Sequence, residues 1–175
     1  MELYLIQHAQ AHTKEEDHGR SLNTEGRKTI DNVSAHLKRL GLRTHIIYHS
    51  TKLRSRQTAQ EYAKVIPSWR GCVERQGLCP NDDIGPVMEE LSSSRKAVAI
   101  VGHLPFLSRL ASALLLGDPE RDVIKFQHAG VVKLERNDET GRWQVAWTLF
   151  PELLAPASLL DEDDEEGDRP LFRRP

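Results

Sequence analysis

Short unbroken apolar runs alternate along this chain with stretches in which apolar residues return every three or four positions. Leu3-Tyr4-Leu5-Ile6 is the first run, and its continuity predicts a strand buried on both faces. It gives way to a polar cluster, Gln7 to His12. Ile30, Val33, Leu37 and Leu40 then recur at helical spacing, with Thr24 as the predicted cap and Gly41 as the stop. His45 to Tyr48 predicts a second strand ending at His49-Ser50, and Leu53 to Ile66 a helix broken by Pro67. Residues 67–82 hold prolines and glycines without a period and read as irregular. A short helix is predicted from Ile84 to Leu91. Ala97 to Val101 is the third buried strand, ending at Gly102-His103, and Pro105 suits the first turn of a helix to Leu116. Gly130 to Glu135 and Trp143 to Leu149 form a predicted hairpin across Asn137 to Gly141.

Strands alternating with helices predict an α/β domain over residues 1–150, a three-layer α/β/α sandwich with a mostly parallel central sheet. In such sheets ligands bind outside the carboxyl ends of the strands, and His8, Arg54 and His103 follow three of those ends. Residues 151–175 read as a C-terminal extension: a short apolar segment, Leu153 to Leu160, and then a tail expected to be disordered, serving as a contact segment or a solubilising end.

Charge changes the picture slightly. The net charge is −2, but residues 161–175 carry seven acids against three arginines, so the body stands at about +2. A mildly basic body suits anionic small groups or acidic protein surfaces, and nucleic acid is not expected as a partner. Cys72 and Cys79 sit in no metal-ligand spacing and are expected to be reduced. No run approaches the roughly 18 apolar residues of a membrane span, so no membrane association and a cytoplasmic location are expected.

The candidate chemistry is phosphoryl transfer. A histidine nucleophile needs a neutral imidazole, a fixed tautomer and donors around the phosphoryl oxygens. His8 at a strand end can be that nucleophile, Arg54 and Arg20 can clamp oxygens, and His103 can add a donor opposite. The remaining histidines, His12, His18, His36, His45, His49 and His128, are scattered and suggest no metal site. Neither a metal nor an organic cofactor is expected.

Tyr4-Leu5-Ile6-Gln7-His8-Ala9 resembles the opening strand and Arg-His-Gly or Arg-His-Ala motif of the histidine phosphatase superfamily, which also holds cofactor-dependent phosphoglycerate mutases. Arg20 to Gly26 is similar to its Arg-Pro-Leu-Thr segment and following glycine. Ser50 to Ala59 resembles its Ser-x-x-x-Arg-Ala-x-Gln-Thr motif, and Val101-Gly102-His103-Leu104-Pro105 its second-histidine motif. The short chain, the compact Leu78 to Asp83 segment and the His-Leu-Pro sequence look most like the SixA-type phosphohistidine phosphatases. The resemblance implies that His8 is phosphorylated, that Arg54, His103 and Arg20 bind phosphate, and that Asp83, or Asp82 beside it, supplies a proton to the leaving group. It implies a phosphohistidine-bearing phosphotransfer or kinase protein as partner.

Gln7 departs from the motif, replacing a charged, bidentate donor by a neutral amide that still offers phosphate a hydrogen bond. A lost charge-assisted contact is worth roughly 1.5–3 kcal/mol, on the order of ten- to a hundred-fold in rate. Lys52, Arg56 or Arg20 can restore the charge. A phosphate-binding or phosphohistidine-reading module with little turnover is therefore a second reading, and a small-molecule phosphomonoesterase or mutase a third.

Overall fold

The computed structural model describes residues 1–154. Its elements run β1 (Glu2–Gln7), α1 (Thr24–Leu40), β2 (Ile46–His49), α2 (Leu53–Tyr62), β3 (Cys72–Glu74), α3 (Gly85–Ser93), β4 (Val98–Gly102), α4 (Phe106–Leu116), β5 (Val131–Arg136) and β6 (Trp143–Leu149). A final 3-10 turn spans Pro151–Leu153. The expectations for the apolar segment from Leu153 to Leu160 and for the acidic tail fall almost wholly outside the described residues.

One six-stranded sheet carries the order β3-β2-β4-β1-β5-β6. β3, β2, β4 and β1 pair in parallel, while β5 and β6 are antiparallel additions. Alternate β1 side chains serve opposite faces, as strand geometry requires. Leu3 and Leu5 join Val87, Leu91, Phe106 and Leu110 of α3 and α4 on one side. Tyr4 and Ile6 join Ile30, Val33, Leu37, Ala59 and Tyr62 of α1 and α2 on the other. Both faces of the sheet are thus covered, which gives the three layers expected.

Local chemistry moved several boundaries. Asn23, not Thr24, caps α1: its side chain accepts from the Gly26 N–H, and Gly41 closes the helix in the left-handed conformation. α2 stops at Tyr62 rather than Ile66. Residues 67–82 contain β3, which pairs with β2 through Ile47 and Cys72. That strand was illegible because it is short and its side chains are partly or fully exposed.

Gly26 is where α1 meets the segment following β1. A Cβ on Gly26 would lie 2.0 Å from the backbone oxygen of Gln10, so only glycine lets the helix approach the turn that carries His8. Gly26→Ala is expected to destabilise the protein by about 1–3 kcal/mol or more, as other forced overpacking does, measured by urea unfolding.

Candidate active site

Three loops at the carboxyl ends of β1, β2 and β4 meet above the centre of the sheet, and hydrogen bonds hold them in register. The His8 N–H donates to the Gly102 oxygen at 3.0 Å. Ser55 Oγ accepts from the Ser50 N–H and donates to the Val101 oxygen. Thr58 Oγ1 accepts from the Ala9 N–H at 3.0 Å and donates to the Arg54 oxygen at 2.8 Å. Gln57 Oε1 accepts from the Leu22 N–H at 2.8 Å, holding the 17–23 loop. The polar residues of the Ser50–Thr58 motif therefore act mainly as lashings, with Arg54 free to face inward.

His8 is buried, and its Nδ1 lies 2.7 Å from the Ala9 oxygen. A carbonyl only accepts, so Nδ1 carries the proton and Nε2 keeps its lone pair. Arg54 Nε donates to that Nε2 at 3.0 Å. Burial above all, with the charges of Arg54, His128 and Arg20, pushes the His8 pKa down to about 4 despite the hydrogen bond to Ala9. The ring is a neutral base over the ordinary pH range.

The His103 ring centroid lies 4.8 Å from that of His8. Its Nε2 is 2.6 Å from Ser50 Oγ, a hydroxyl that also accepts from the Lys52 N–H. In the tautomer in which the Ser50 hydroxyl donates to Nε2, the proton lies on Nδ1, a buried atom with no partner. Burial, then the neighbouring His8, Arg54, Lys52 and Arg20, hold the His103 pKa down near 3. An orphaned buried N–H costs about 1–3 kcal/mol, a cost that an anion's oxygen would remove.

Arg20 sits on a turn shaped by Asp17, whose carboxylate accepts from the Gly19 N–H, the Ser21 N–H and the Ser21 hydroxyl. These bonds hold the Asp17 carboxyl down to about 2. They also hold Arg20 at φ 52°, a left-handed conformation that non-glycine residues avoid. Arg20 acts electrostatically on His8, His103 and Arg54. With Lys14, His18, Gly19, Lys52, Leu53 and Arg54 it lines an open cleft of about 260 Å³.

The structure thus brings His8, Arg54 and His103 together, with Arg20 and Lys52 facing them, whereas Arg56 is exposed. Asp83 stands apart: its Oδ1 accepts from the Gly85 N–H, while Asp82 Oδ2 accepts from the Cys79 N–H. Their loop reaches the site's edge where Thr51 Oγ1 lies 3.5 Å from Cys79 Sγ. His128 is the member that sequence reasoning missed. Its ring centroid is 5.1 Å from that of His8, and no motif or spacing marked it. Among the described residues, no group of His, Cys, Asp and Glu is arranged to hold a metal ion, and no helix is long and apolar enough to cross a membrane.

A strand-end histidine between an arginine and a second histidine, over a sheet of this order, can be compared with known proteins. The family described as histidine phosphatase superfamily (branch 1) matches residues 3–76, from β1 through β3. The protein histidine phosphatase SixA, complexed with tungstate, superposes with a TM-score of 0.72 over 86% of this chain and 97% of its own, at 23% identity. The fold is that of the histidine phosphatases. A SixA-named protein from Agrobacterium tumefaciens gives a TM-score of 0.68 at 22% identity, covering 86% of this chain and 97% of that one. A phosphoserine phosphatase from Entamoeba histolytica, complexed with phosphoserine, gives 0.60 at 15% identity, covering 86% and 98%. No curated protein matches by sequence. Histidine phosphatase structures named for different substrates thus share this framework.

The buried histidines make stability pH-dependent. The unfolded chain protonates His8 near its ordinary value of 6.5, whereas the folded chain resists until about 4. Between those values the unfolded state binds more protons, so stability falls as pH is lowered through that window. The melting temperature is expected to decline over that range, and His8→Gln is expected to flatten the decline. Asp17→Ala, which frees the Arg20 turn, is expected to weaken tungstate binding by roughly three- to ten-fold in calorimetry, since it loosens a cation beside the two histidines without removing it.

Proposed function

We infer that the chain is a phosphatase acting through a phosphorylated His8, with protein-borne phosphohistidine as its substrate. One observation carries the reading: His8 keeps an unprotonated Nε2 beside the Arg54 guanidinium, with the His103 ring 4.8 Å from its own. A lone pair surrounded by donors is what attack on phosphorus requires.

As the bond from His8 Nε2 to phosphorus forms, the bond from phosphorus to the substrate's imidazole nitrogen breaks, and that nitrogen takes a proton. Arg54 moves from the lone pair to the phosphoryl oxygens, joined by His103 and Arg20. Water then attacks phosphorus, returning His8 and releasing phosphate. Asp83 is the proposed proton donor, through Oδ2, the oxygen its turn leaves free. The proposed substrate class is supported by the rim of the cleft, where Lys14, His18, Gly19, Arg20 and Lys52 are exposed, leaving room for a phosphorylated side chain on a protein surface. The likeness to a protein histidine phosphatase agrees with it.

Phosphate release is expected from a phosphohistidine-bearing protein in preference to a generic phosphate ester. His8→Ala is expected to abolish it. Arg54→Ala should slow it on the order of ten- to a hundred-fold, the value of a charge-assisted contact felt in the transition state. Preference for the ester would turn the assignment to a small-molecule phosphomonoesterase. Release by Gln7→Arg but not by the parent would favour a phosphohistidine-reading module, the reading that the buried neutral amide of Gln7 keeps open.

A further inference from the structure

Position 7 lacks the arginine of the motif, and the structure shows what stands around it. The buried Gln7 side chain lies 3.2 Å from His128 Nδ1, and the same Nδ1 lies 2.8 Å from the backbone oxygen of His8. Because that oxygen can only accept, the shorter contact makes Nδ1 a protonated donor. The Gln7 atom at 3.2 Å is the amide nitrogen Nε2, while Oε1 has no partner; exchanging the two by a half-turn of the amide would let Oε1 accept from the same N–H. The other ring nitrogen, Nε2, has no hydrogen bond among the described residues, and His128 is an exposed residue beside His8.

The segment holding His128 is built under constraint. Ala129, fully buried, takes φ 63°. Its N–H donates to the backbone oxygen of Gln7 at 3.0 Å, and its own oxygen accepts from the Tyr62 hydroxyl of α2. A non-glycine residue in this conformation persists only where its surroundings over-determine it, and such residues cluster at functional sites. His8 is thereby flanked by two imidazoles, His103 at 4.8 Å and His128 at 5.1 Å between ring centroids.

We propose that His128 is a cationic phosphoryl ligand, protonated when a dianionic group occupies the space at His8 Nε2, and that Gln7 and His128 together replace the motif's single arginine. Gln7 is the positioning residue: it reaches from the end of β1 and helps to fix the ring whose free nitrogen carries the charge. The inference rests on the phosphoryl-transfer reading of His8. His128 borders His8, the residue after β1, and the other titratable and charged groups gathered around His8 are His103 after β4, Arg54 from α2 and Arg20 from the 17–21 turn. A dianion beside the ring favours its charged form, so binding takes up a proton.

Tungstate is a suitable probe because it is already a dianion at neutral pH, so a proton taken up on binding goes to the protein. Calorimetry of the full chain in buffers of different ionisation enthalpy would measure that uptake. The parent is expected to bind tungstate with uptake of a large fraction of a proton. His128→Asn keeps an N–H for the His8 oxygen and is expected to lose most of the uptake, with affinity falling about ten-fold or more. In a Gln7→Arg background the same His128→Asn change is expected to alter affinity by less than about two-fold, because the arginine already supplies the charge. That restoration separates a ligand's role from simple misfolding. Unchanged uptake in His128→Asn would assign the proton to His8 or His103 and overturn the proposal. Absence of tungstate binding by the parent would overturn both this and the phosphoryl-transfer reading. Binding with the expected proton behaviour, but no phosphate release from phosphohistidine or ester, would sink the phosphatase reading alone.

Discussion

The hydrogen bond from His8 Nδ1 to the Ala9 oxygen, 2.7 Å long, is the constraint on which the rest depends. It decides which nitrogen holds the proton, and so which holds the lone pair. It works only if the Ala9 peptide is held still, which Thr58 does by accepting from the Ala9 N–H while donating to the Arg54 oxygen. One hydroxyl therefore couples the orientation of the His8 ring to the backbone of the arginine beside it. Gly26 closes the arrangement from outside, pressing α1 against Gln10 without a side chain between. Removing the Thr58 hydroxyl would strand an N–H and free a carbonyl at once, each with a desolvation cost of about 1–3 kcal/mol if left buried.

Burial and charge reinforce one another at the two central histidines. Both rings lie under the surface next to guanidinium groups, which suits neutral bases and makes protonation costly. The cations are consequently on Arg54, Arg20 and Lys52, around the rings and not on them. This division of labour leaves the His8 ring uncharged in a setting that attracts anions. It also leaves His103 Nδ1 buried without a partner.

Much of this was legible in the chain. Buried strands revealed themselves as apolar runs, and a polar residue after each run marked the carboxyl end of the sheet, so His8, Arg54 and His103 were found from position and residue type together. What escaped had physical reasons. β3 pairs through its backbone while exposing Val73, so it has no apolar run. Asn23 and Thr24 are both good caps, and only the backbone shows which side chain reaches the Gly26 N–H. His128 is joined to residue 7 across 121 positions, and no local spacing can carry that information. The lashing roles of Gln57 and Thr58 were likewise visible only as motif letters, because their partners come from other loops.

The strand order has a consequence for how another macromolecule can approach. His8 and His103 end β1 and β4, neighbours at the middle of the sheet, with β3 and β6 as the outer strands on either side. Each outer strand lies two strand spacings from the nearer of these two, roughly 10 Å away. A chain adding itself to either border by backbone pairing would extend the sheet sideways and leave the mouth above the two histidines clear. Growth of the sheet and access to the two histidines thus use different directions of the same molecule, one in the plane of the sheet and one along its strands.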